Sequence, residues 1–589
     1  MSNILTIHSG HNSTITYYEN GFCKFILHEE KFTYIKNHSG FPFLALDYLY
    51  KKVDFKKIDK VIFTSRIYTS HHYKVDENKL LSRSENFFFQ FRSLYEFFEL
   101  NLNFFNFITK TKDLIREYIF TPLVLNKIKK DLKLRYEITE EKLEFYDHHL
   151  CHCLTPLSFY DINKNKKILL ISFDGEGDFY CSKIFLYDKK KLILKHSTKY
   201  EYSLGLFYSS ITKSLGMQPN NHEYKLMGLA AFTEKNKYVK ILLDELRKLI
   251  FIDKKKLTIK SKINTFLIGD LLKKKFSNFR FDNFAAAAQY FLEEIILEYF
   301  ELVLKKYEPK TICLSGGLFL NVKLNQRIVE KFNNIEIYIQ PTGGDESLGL
   351  GAAYNYYNLK NETNIKPIKN MYYGREVDTK VLKFKDKNIL EKFDLYKFES
   401  NDDKVIRIVE LLKKDEVVAF VNSRSEWGAR SLCNRALLVN PKNYKNFSYV
   451  NDLIKKRDFW MPFAPVIIDT WAEKYIKNWN NLKLKIFDSS KFMTTSFDTT
   501  PLGQEDLICA IHPKDKTIRA QILSEQDNPV VYKILSRTEE ELGIGGLLNT
   551  SLNLHGKPLN DTIDHVIDTS LNSKLKYIFI NDFMLEKKL

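Results

Sequence analysis

The feature that most limits how this chain can fold is a layout that occurs twice. Ile4 to Ile7 is a short apolar strand entering a small-residue loop, His8-Ser9-Gly10-His11-Asn12-Ser13. Thr14 to Tyr18 is β-rich, Glu19-Asn20-Gly21 is a hairpin turn, and Phe22 to Leu27 is the next strand. Ile168 to Phe173 repeats the opening strand, with Asp174-Gly175-Glu176-Gly177-Asp178 as its loop. Phe179 to Tyr187 is the strand back, and Asp188 to Lys190 turn into Lys191 to Lys195. A strand, a Gly/Asp loop, a strand, a turn and a strand, found twice, predict a duplicated two-lobed α/β fold. Glycines in such loops let backbone amides approach phosphates with no Cβ in the way.

Later segments extend this plan. Thr311 to Leu314 is a strand meeting Ser315-Gly316-Gly317, and the helix predicted next carries Asn321 and Asn325 on one face. A strand, a glycine pair and a helix start form an anion site from backbone amides and the helix dipole. Ile335 to Gln340 leads through Pro341-Thr342-Gly343-Gly344 to Asp345, then to a small-residue helix, Leu348 to Ala353, able to lie close on a sheet. Between the two repeats, residues 78–133 are aromatic-rich and predicted to be a helical insertion whose aromatics fill core. Glu223 and Lys225 interrupt an apolar helical pattern beside Gly228, either as an exposed edge or as the lining of a site.

Asp147-His148-His149-Leu150-Cys151-His152 is the stretch with the sharpest chemistry. His148 and His152 share one face of a helix, a spacing that grips one metal ion. Asp345 is the proposed third ligand. Two histidines and a carboxylate with open positions suit a divalent Fe(II)-like ion, with Zn or Mn as alternatives. The bland alternative is a partly buried structural histidine pair.

Polar residues 360–369 read as the approach to a linker, after which the chain changes character. Val417 to Val421 is a buried-strand pattern followed by Arg424, Arg430 and Arg435 around Gly428, and three such arginines cannot all be core. Further clusters are Lys455-Lys456-Arg457, Arg519-Ala520-Gln521 and Asn549-Thr550-Ser551-Leu552-Asn553. Together they predict a basic pocket for phosphate or carboxylate, with surface salt bridges as the alternative.

A length of 589 residues allows two to four domains. The net charge of +17 is spread in short lysine runs typical of solvated faces, and no basic tail stands apart. Nucleic acid is therefore not the expected partner. Seven dispersed cysteines without a CxxC pair argue against a disulfide framework or a zinc ribbon. No signal-peptide pattern opens the chain, and no apolar run is long enough for a membrane span, so a cytoplasmic location off the membrane is expected.

Taken together these segments resemble the ATP-dependent O-carbamoyltransferases of the nodulation and antibiotic-tailoring type, in the family's order and over nearly the whole chain. The resemblance implies an actin-like (ASKHA) two-lobed ATPase domain over residues 1–370 and a YrdC-like α/β domain over 371–589. It implies that the C-terminal domain makes carbamoyladenylate from carbamoyl phosphate and ATP. A small hydroxylated acceptor, a sugar or natural product, then takes the carbamoyl group at the metal site. His148, His152 and Asp345 match the family's iron ligands, and His11 matches the histidine assigned to the acceptor hydroxyl, with His8 as its rival. An imidazole is the side chain suited to taking a proton near neutral pH. Arg430 and Lys455 are implied as catalytic in adenylate formation. The implied nucleotide and substrate contacts are Asn12, Asp174, Glu223, Lys225, Gly316, Gly317 and Asn321 in the first domain. In the second they are Arg424, Arg457, Arg519, Asn549, Ser551 and Asn553. The family's Gly-Pro-Arg-Ala-Leu-Gly-Asn-Arg-Ser reads Gly428-Ala429-Arg430-Ser431-Leu432-Cys433-Asn434-Arg435-Ala436 here, and Met461 stands where arginine is frequent. Two other readings are a tRNA-modifying carbamoyl-type transferase and a nucleotide-gated binding module without transfer chemistry. A homodimer is left open.

Overall fold

The computed structural model describes residues 2–73, 105–189, 191–332, 334–360, 365–383 and 387–588. They fall in two compact units, one of Met1–Thr33, Asn37–Leu320 and Ile337–Ile368, the other of Tyr34–Lys36, Asn321–Glu336 and Lys369–Leu589.

The first unit contains the repeat read from the sequence. In its first sheet Ile4–His8 is antiparallel to Thr14–Glu19, which is antiparallel to Phe22–His28; on its other side Ile4–His8 is parallel to Lys60–Phe63, and that strand to Leu143–Phe145. The second sheet has the same order: Lys191–Lys199, Tyr180–Asp188, Ile168–Gly177, Thr311–Ser315, Glu336–Ile339. This doubled order is the actin-like two-lobed plan. The expected loop at Asp174 differs. The strand runs on to Gly177 with a register break between Phe173 and Gly177, and the turn falls at Asp178 and Phe179, both at positive φ. A bulge of this kind re-aims side chains at the end of a strand.

The lobes meet through two helices whose sequences suit close approach. A Cβ on Gly351 would stand 1.8 Å from the Cys151 carbonyl oxygen in the helix His148–Phe159. A Cβ on Gly349 would stand 2.4 Å from Thr6 Oγ1 in the first sheet. The helix Leu348–Tyr354 is thus fitted between the first sheet and the histidine helix because it lacks bulk there. Of the predicted insertion, 78–104 lies outside the described residues. The rest is helical: Phe105–Ile115, a π-helical turn at Arg116–Phe120, then Thr121–Tyr136. Val124, Ile128, Leu132 and Tyr136, each one turn on, are buried in the first lobe's core.

The second unit is built on an eight-stranded mixed sheet in the order Phe393–Lys397, Phe583–Lys587, Tyr577–Ile580, Val418–Val421, Arg435–Val439, Gly546–Ser551, Ala464–Ile468, Gln521–Leu523. Alternate residues of these strands feed two separate apolar cores: Ala419 and Val421 enter one, Val418 and Phe420 the other. No disulfide joins any of the seven cysteines, and six of them are buried. Among the described residues, no helix is long and apolar enough to cross a membrane.

Candidate functional site

Asp147 caps the histidine helix, its carboxylate accepting from Leu150 N at 2.9 Å. His148 and His152 follow on one face. His149 points elsewhere: its ring nitrogens lie 3.0 Å from Ser172 Oγ and 2.9 Å from the Tyr180 carbonyl, and burial pushes its pKa down to about 3. It is a neutral core histidine. His148 Nε2 lies 3.4 Å from Asp174 Oδ2 and 3.4 Å from Asp345 Oδ1, and His152 Nε2 lies 3.9 and 3.3 Å from the same two oxygens. The four donor atoms all fall within 4.8 Å of one another. Both Nε2 atoms are buried without a hydrogen-bond partner.

Buried polar nitrogens are rarely left unpaired. Two ligands each about 2.1 Å from one ion, at a tetrahedral angle, stand about 3.4 Å apart. The orphaned nitrogens and this spacing fit a divalent ion held by His148, His152, Asp174 and Asp345. The resemblance had grouped Asp174 with the nucleotide contacts; the bulge at the end of its strand also sets it among these four candidate ligands. Without an ion, the Asp174 and Asp345 carboxylates face the His148 imidazole as opposite charge. Burial alone would lower His148, but Asp345 and Asp174 outweigh it and hold its pKa well above the usual histidine range. Burial alone would raise Asp345, but His148 and its neighbours hold it well below the usual carboxylate range.

The surroundings fix these ligands. Gly177 packs against the His148 ring, where a Cβ would fall 2.1 Å from Cδ2. Asp178 accepts from His148 N at 2.9 Å and from Arg66 N and Ile67 N. Gly317 N donates to the free oxygen of Asp174, Oδ1, at 2.8 Å. Gly316 has φ +94 and stands where a Cβ would meet the Phe173 carbonyl at 2.2 Å. The glycine pair therefore positions Asp174, one of the four residues that could hold a metal ion. The helix predicted after it begins only at Val322, capped by Asn321 Oδ1 accepting from Leu324 N, and it groups with the second unit.

His8 is buried beside Asp345, its Nε2 3.5 Å from Oδ2. Its two ring nitrogens also lie 3.0 Å from Thr64 Oγ1 and 3.0 Å from the His11 carbonyl. His11 itself is exposed on a short strand paired with Ser39. Asn12, at positive φ, donates to Glu346 at 3.4 Å, and burial raises Glu346 to about 8. Glu223 accepts from Ser209 Oγ at 2.5 Å and from Asn220 N at 2.7 Å, closing the turn before its own helix, while Lys225 is buried.

In the second unit, two buried charges shape the loop between Val421 and Arg435. Glu426 accepts from the backbone of Leu432, Asn434 and Arg435, and Arg435 donates to the carbonyls of Asn422, Ser423 and Asn434. Of the three clustered arginines, Arg435 is thus core. Arg424 spends its fork on the carbonyls of Tyr373 and Gly374. Cys433 holds φ +79, a backbone conformation that favours glycine.

The remaining cations converge. Burial, then the charges of Arg430 and Arg457, hold Arg519 well below the usual arginine range. Burial, then Arg457 and Lys36, hold Lys455 well below the usual lysine range. Lys455 is buried and donates to the Ser551 carbonyl at 2.7 Å, Ser551 Oγ at 3.1 Å and the Asn553 carbonyl at 3.0 Å. Asn549 ties Ser431 to Gln521, and Arg457 lies over the Phe463 ring at 3.9 Å. Like charges gathered in poor solvent raise each other's cost, and an anion relieves it. Lys36 is the member that the sequence reading missed; no nearby motif pointed to it.

Residues 3–354 match the family described as Carbamoyltransferase N-terminus, and residues 409–587 match Carbamoyltransferase C-terminus. The uncharacterized protein MJ1051 of Methanocaldococcus jannaschii is 27% identical over 99% of this chain and 99% of its own. Nodulation protein NolNO of Sinorhizobium fredii is 24% identical over 77% of this chain and 65% of its own. Among solved structures, full-length HypF in the phosphate- and nucleotide-bound form is similar over 60% of this chain and 54% of its own, at 13% identity and a TM-score of 0.30. The two-lobed assignment rests on the doubled strand order, independently of that likeness.

Proposed function

The chain belongs to the carbamoyltransferase family, and from that premise we propose that it is an ATP- and carbamoyl phosphate-dependent O-carbamoyltransferase. Carbamoyl phosphate, ATP and water give carbamoyladenylate, pyrophosphate and phosphate at the cationic cluster of the second unit. An acceptor hydroxyl then attacks the carbamoyl carbon, the carbon–oxygen bond to AMP breaks, and the products are the O-carbamoyl acceptor and AMP. The observation that carries this reading is the convergence of His148, His152, Asp174 and Asp345, with both Nε2 atoms buried and unpaired.

Arg430, Arg457, Arg519 and Lys455 oppose the charge of the phosphates and of the departing pyrophosphate. His148, His152, Asp174 and Asp345 would hold a divalent ion, with Fe(II) as the choice on the donor set. When bound, such an ion supplies Lewis-acid polarisation of the carbamoyl carbonyl. His8 has both ring nitrogens engaged, so its part is to orient the loop and Asp345. His11 is exposed and is assigned the proton of the acceptor hydroxyl. The acceptor proposed is small and hydroxylated, a sugar or natural product.

The test is pyrophosphate release from ATP by purified protein with and without carbamoyl phosphate, followed by mass spectrometry of carbamoylated products from a panel of hydroxylated acceptors. Release that depends on carbamoyl phosphate supports the first half-reaction. A mass gain on an acceptor supports the second. Absence of both with ATP bound would leave only a nucleotide-binding module.

A further inference from the structure

The helical insertion meets the end of the strand that carries Asp174 at one irregular turn. That turn, Arg116–Phe120, is π-helical and joins Phe105–Ile115 to Thr121–Tyr136. Turns of this kind are rare and are found mostly where they serve a site. This one presents Arg116. The guanidinium donates from Nη1 to Glu176 Oε1, and it lies 5.6 Å from the Phe179 ring centroid and 5.9 Å from that of Tyr200. The two charged side chains are only 18% and 26% exposed, so water screens the pair far less than it does a surface pair.

Glu176 sits inside the bulge that shapes the candidate metal centre. Asp174, two residues before it, faces His148 and His152. Gly177, the next residue, packs against the His148 ring, and Asp178 accepts from His148 N at 2.9 Å. Asp178 and Phe179 then turn with φ of 46° and 68°. Residues with a Cβ hold that conformation only where their surroundings impose it. Arg116 supplies two of the restraints, an opposite charge for Glu176 and a cover over the Phe179 ring.

The same part of the insertion reaches His148 by a second path. Thr121 Oγ1, just after the π-helical turn, lies 2.8 Å from the Arg116 carbonyl and accepts from Tyr68 N at 2.9 Å. The Tyr68 hydroxyl donates to the Ser65 carbonyl at 3.0 Å, and Ser65 Oγ stands 3.4 Å from His148 Nδ1. A ligating histidine is aimed by what its second ring nitrogen meets.

We propose that Arg116 is a positioning residue for the centre formed by His148, His152, Asp174 and Asp345. It clamps the bulge through Glu176, and so makes the helical insertion part of the machinery that aims Asp174. This rests on the metal reading above.

The experiment uses the full chain as wild type, Arg116→Ala, Arg116→Lys and Glu176→Gln, with Co(II) as the probe metal. Affinity is measured by competition with a chelator, and the d–d absorption of bound Co(II) reports the ligand geometry. Arg116→Ala is expected to weaken Co(II) binding by about 10–100-fold, the usual cost of a lost outer-shell partner, and to shift the absorption bands. Glu176→Gln keeps the shape, removes the charge and is expected to do the same. Arg116→Lys should recover part of the loss. The double variant Arg116→Ala/Glu176→Gln should lose no more than the worse single variant, because the two side chains act as one unit. A lower Tm with affinity and absorption unchanged would make the pair a restraint on the fold alone and overturn the assignment. Should Arg116→Ala fail to fold, Glu176→Gln decides by the same two readouts. Wild type that takes up no Co(II) would overturn the metal reading and this assignment together. Wild type and variants that bind alike would overturn this assignment alone.

Discussion

Gly177→Ala should strip the metal centre while leaving the second unit's chemistry intact. The added Cβ would fall 2.1 Å from His148 Cδ2, short of the 3.4 Å at which ordinary contact begins, so the ring must withdraw by about 1.3 Å. Metal–ligand distances tolerate only about 0.2 Å of error. The ring cannot move alone. Its backbone nitrogen is held by Asp178, and Nδ1 stands 3.4 Å from Ser65 Oγ. Gly177 does not have positive φ, so the alanine backbone itself is unstrained and the effect is purely steric. Overpacking of this size costs about 1–3 kcal/mol, enough to lower Tm by a few degrees but not to unfold a chain of this length. The assay is metal content by mass spectrometry after dialysis, with acceptor carbamoylation and pyrophosphate release measured on the same sample. Metal and carbamoylation should be lost together while pyrophosphate release persists. A Gly177→Ala protein that keeps stoichiometric metal and full transfer would show that His148 is not placed as described.

His152→Ala should reduce metal affinity by more than the ~10–100-fold typical of a lost outer-shell partner, abolish transfer and spare pyrophosphate release; retained metal by dialysis would refute the ligand set. Arg430→Ala should slow carbamoyl phosphate-dependent pyrophosphate release by about 10²-fold, from about 3 kcal/mol for a charged hydrogen bond, and leave metal content unchanged; an unaltered rate removes Arg430 from the site. The metal-free protein should lose stability as pH rises. His148 has its folded pKa raised, so its contribution is fully present below about 6.5 and is lost as pH climbs through the folded value. Asp345 has its pKa depressed, so its contribution is lost only in acid, as pH falls below about 4 and through the folded value. Tm in the presence of chelator should therefore fall from pH 6.5 toward pH 9, and a flat or rising profile would contradict the imidazolium–carboxylate pair.

Much of the site was legible because local geometry encodes it. A helix puts residues four apart on one face whatever surrounds it, so His148 and His152 could be paired from spacing alone. The small residues of Leu348 to Ala353 announced a close approach, and the structure spends them on the Cys151 carbonyl and the Thr6 side chain. The cationic residues Arg430, Lys455, Arg457 and Arg519 were visible as types. Their separation into a converging group, with Arg424 and Arg435 bound to backbone carbonyls instead, was not. An arginine fork matches a carbonyl cluster as readily as a phosphate, and only the surroundings decide which it meets.

By itself, then, the sequence settled whatever has a period or a turn: the doubled strand layout, the histidine face and the two chemical regions of the chain. Tertiary structure decided what depends on register and on long-range closure. A bulge between Phe173 and Gly177 sets Asp174 among the candidate ligands, and a stack on His565 ties Tyr34 into the second unit. The physical reason is that backbone dihedrals fix neighbours along a helix or strand, whereas contacts across hundreds of residues exist only once apolar packing has offset the entropy of closing the loops between them.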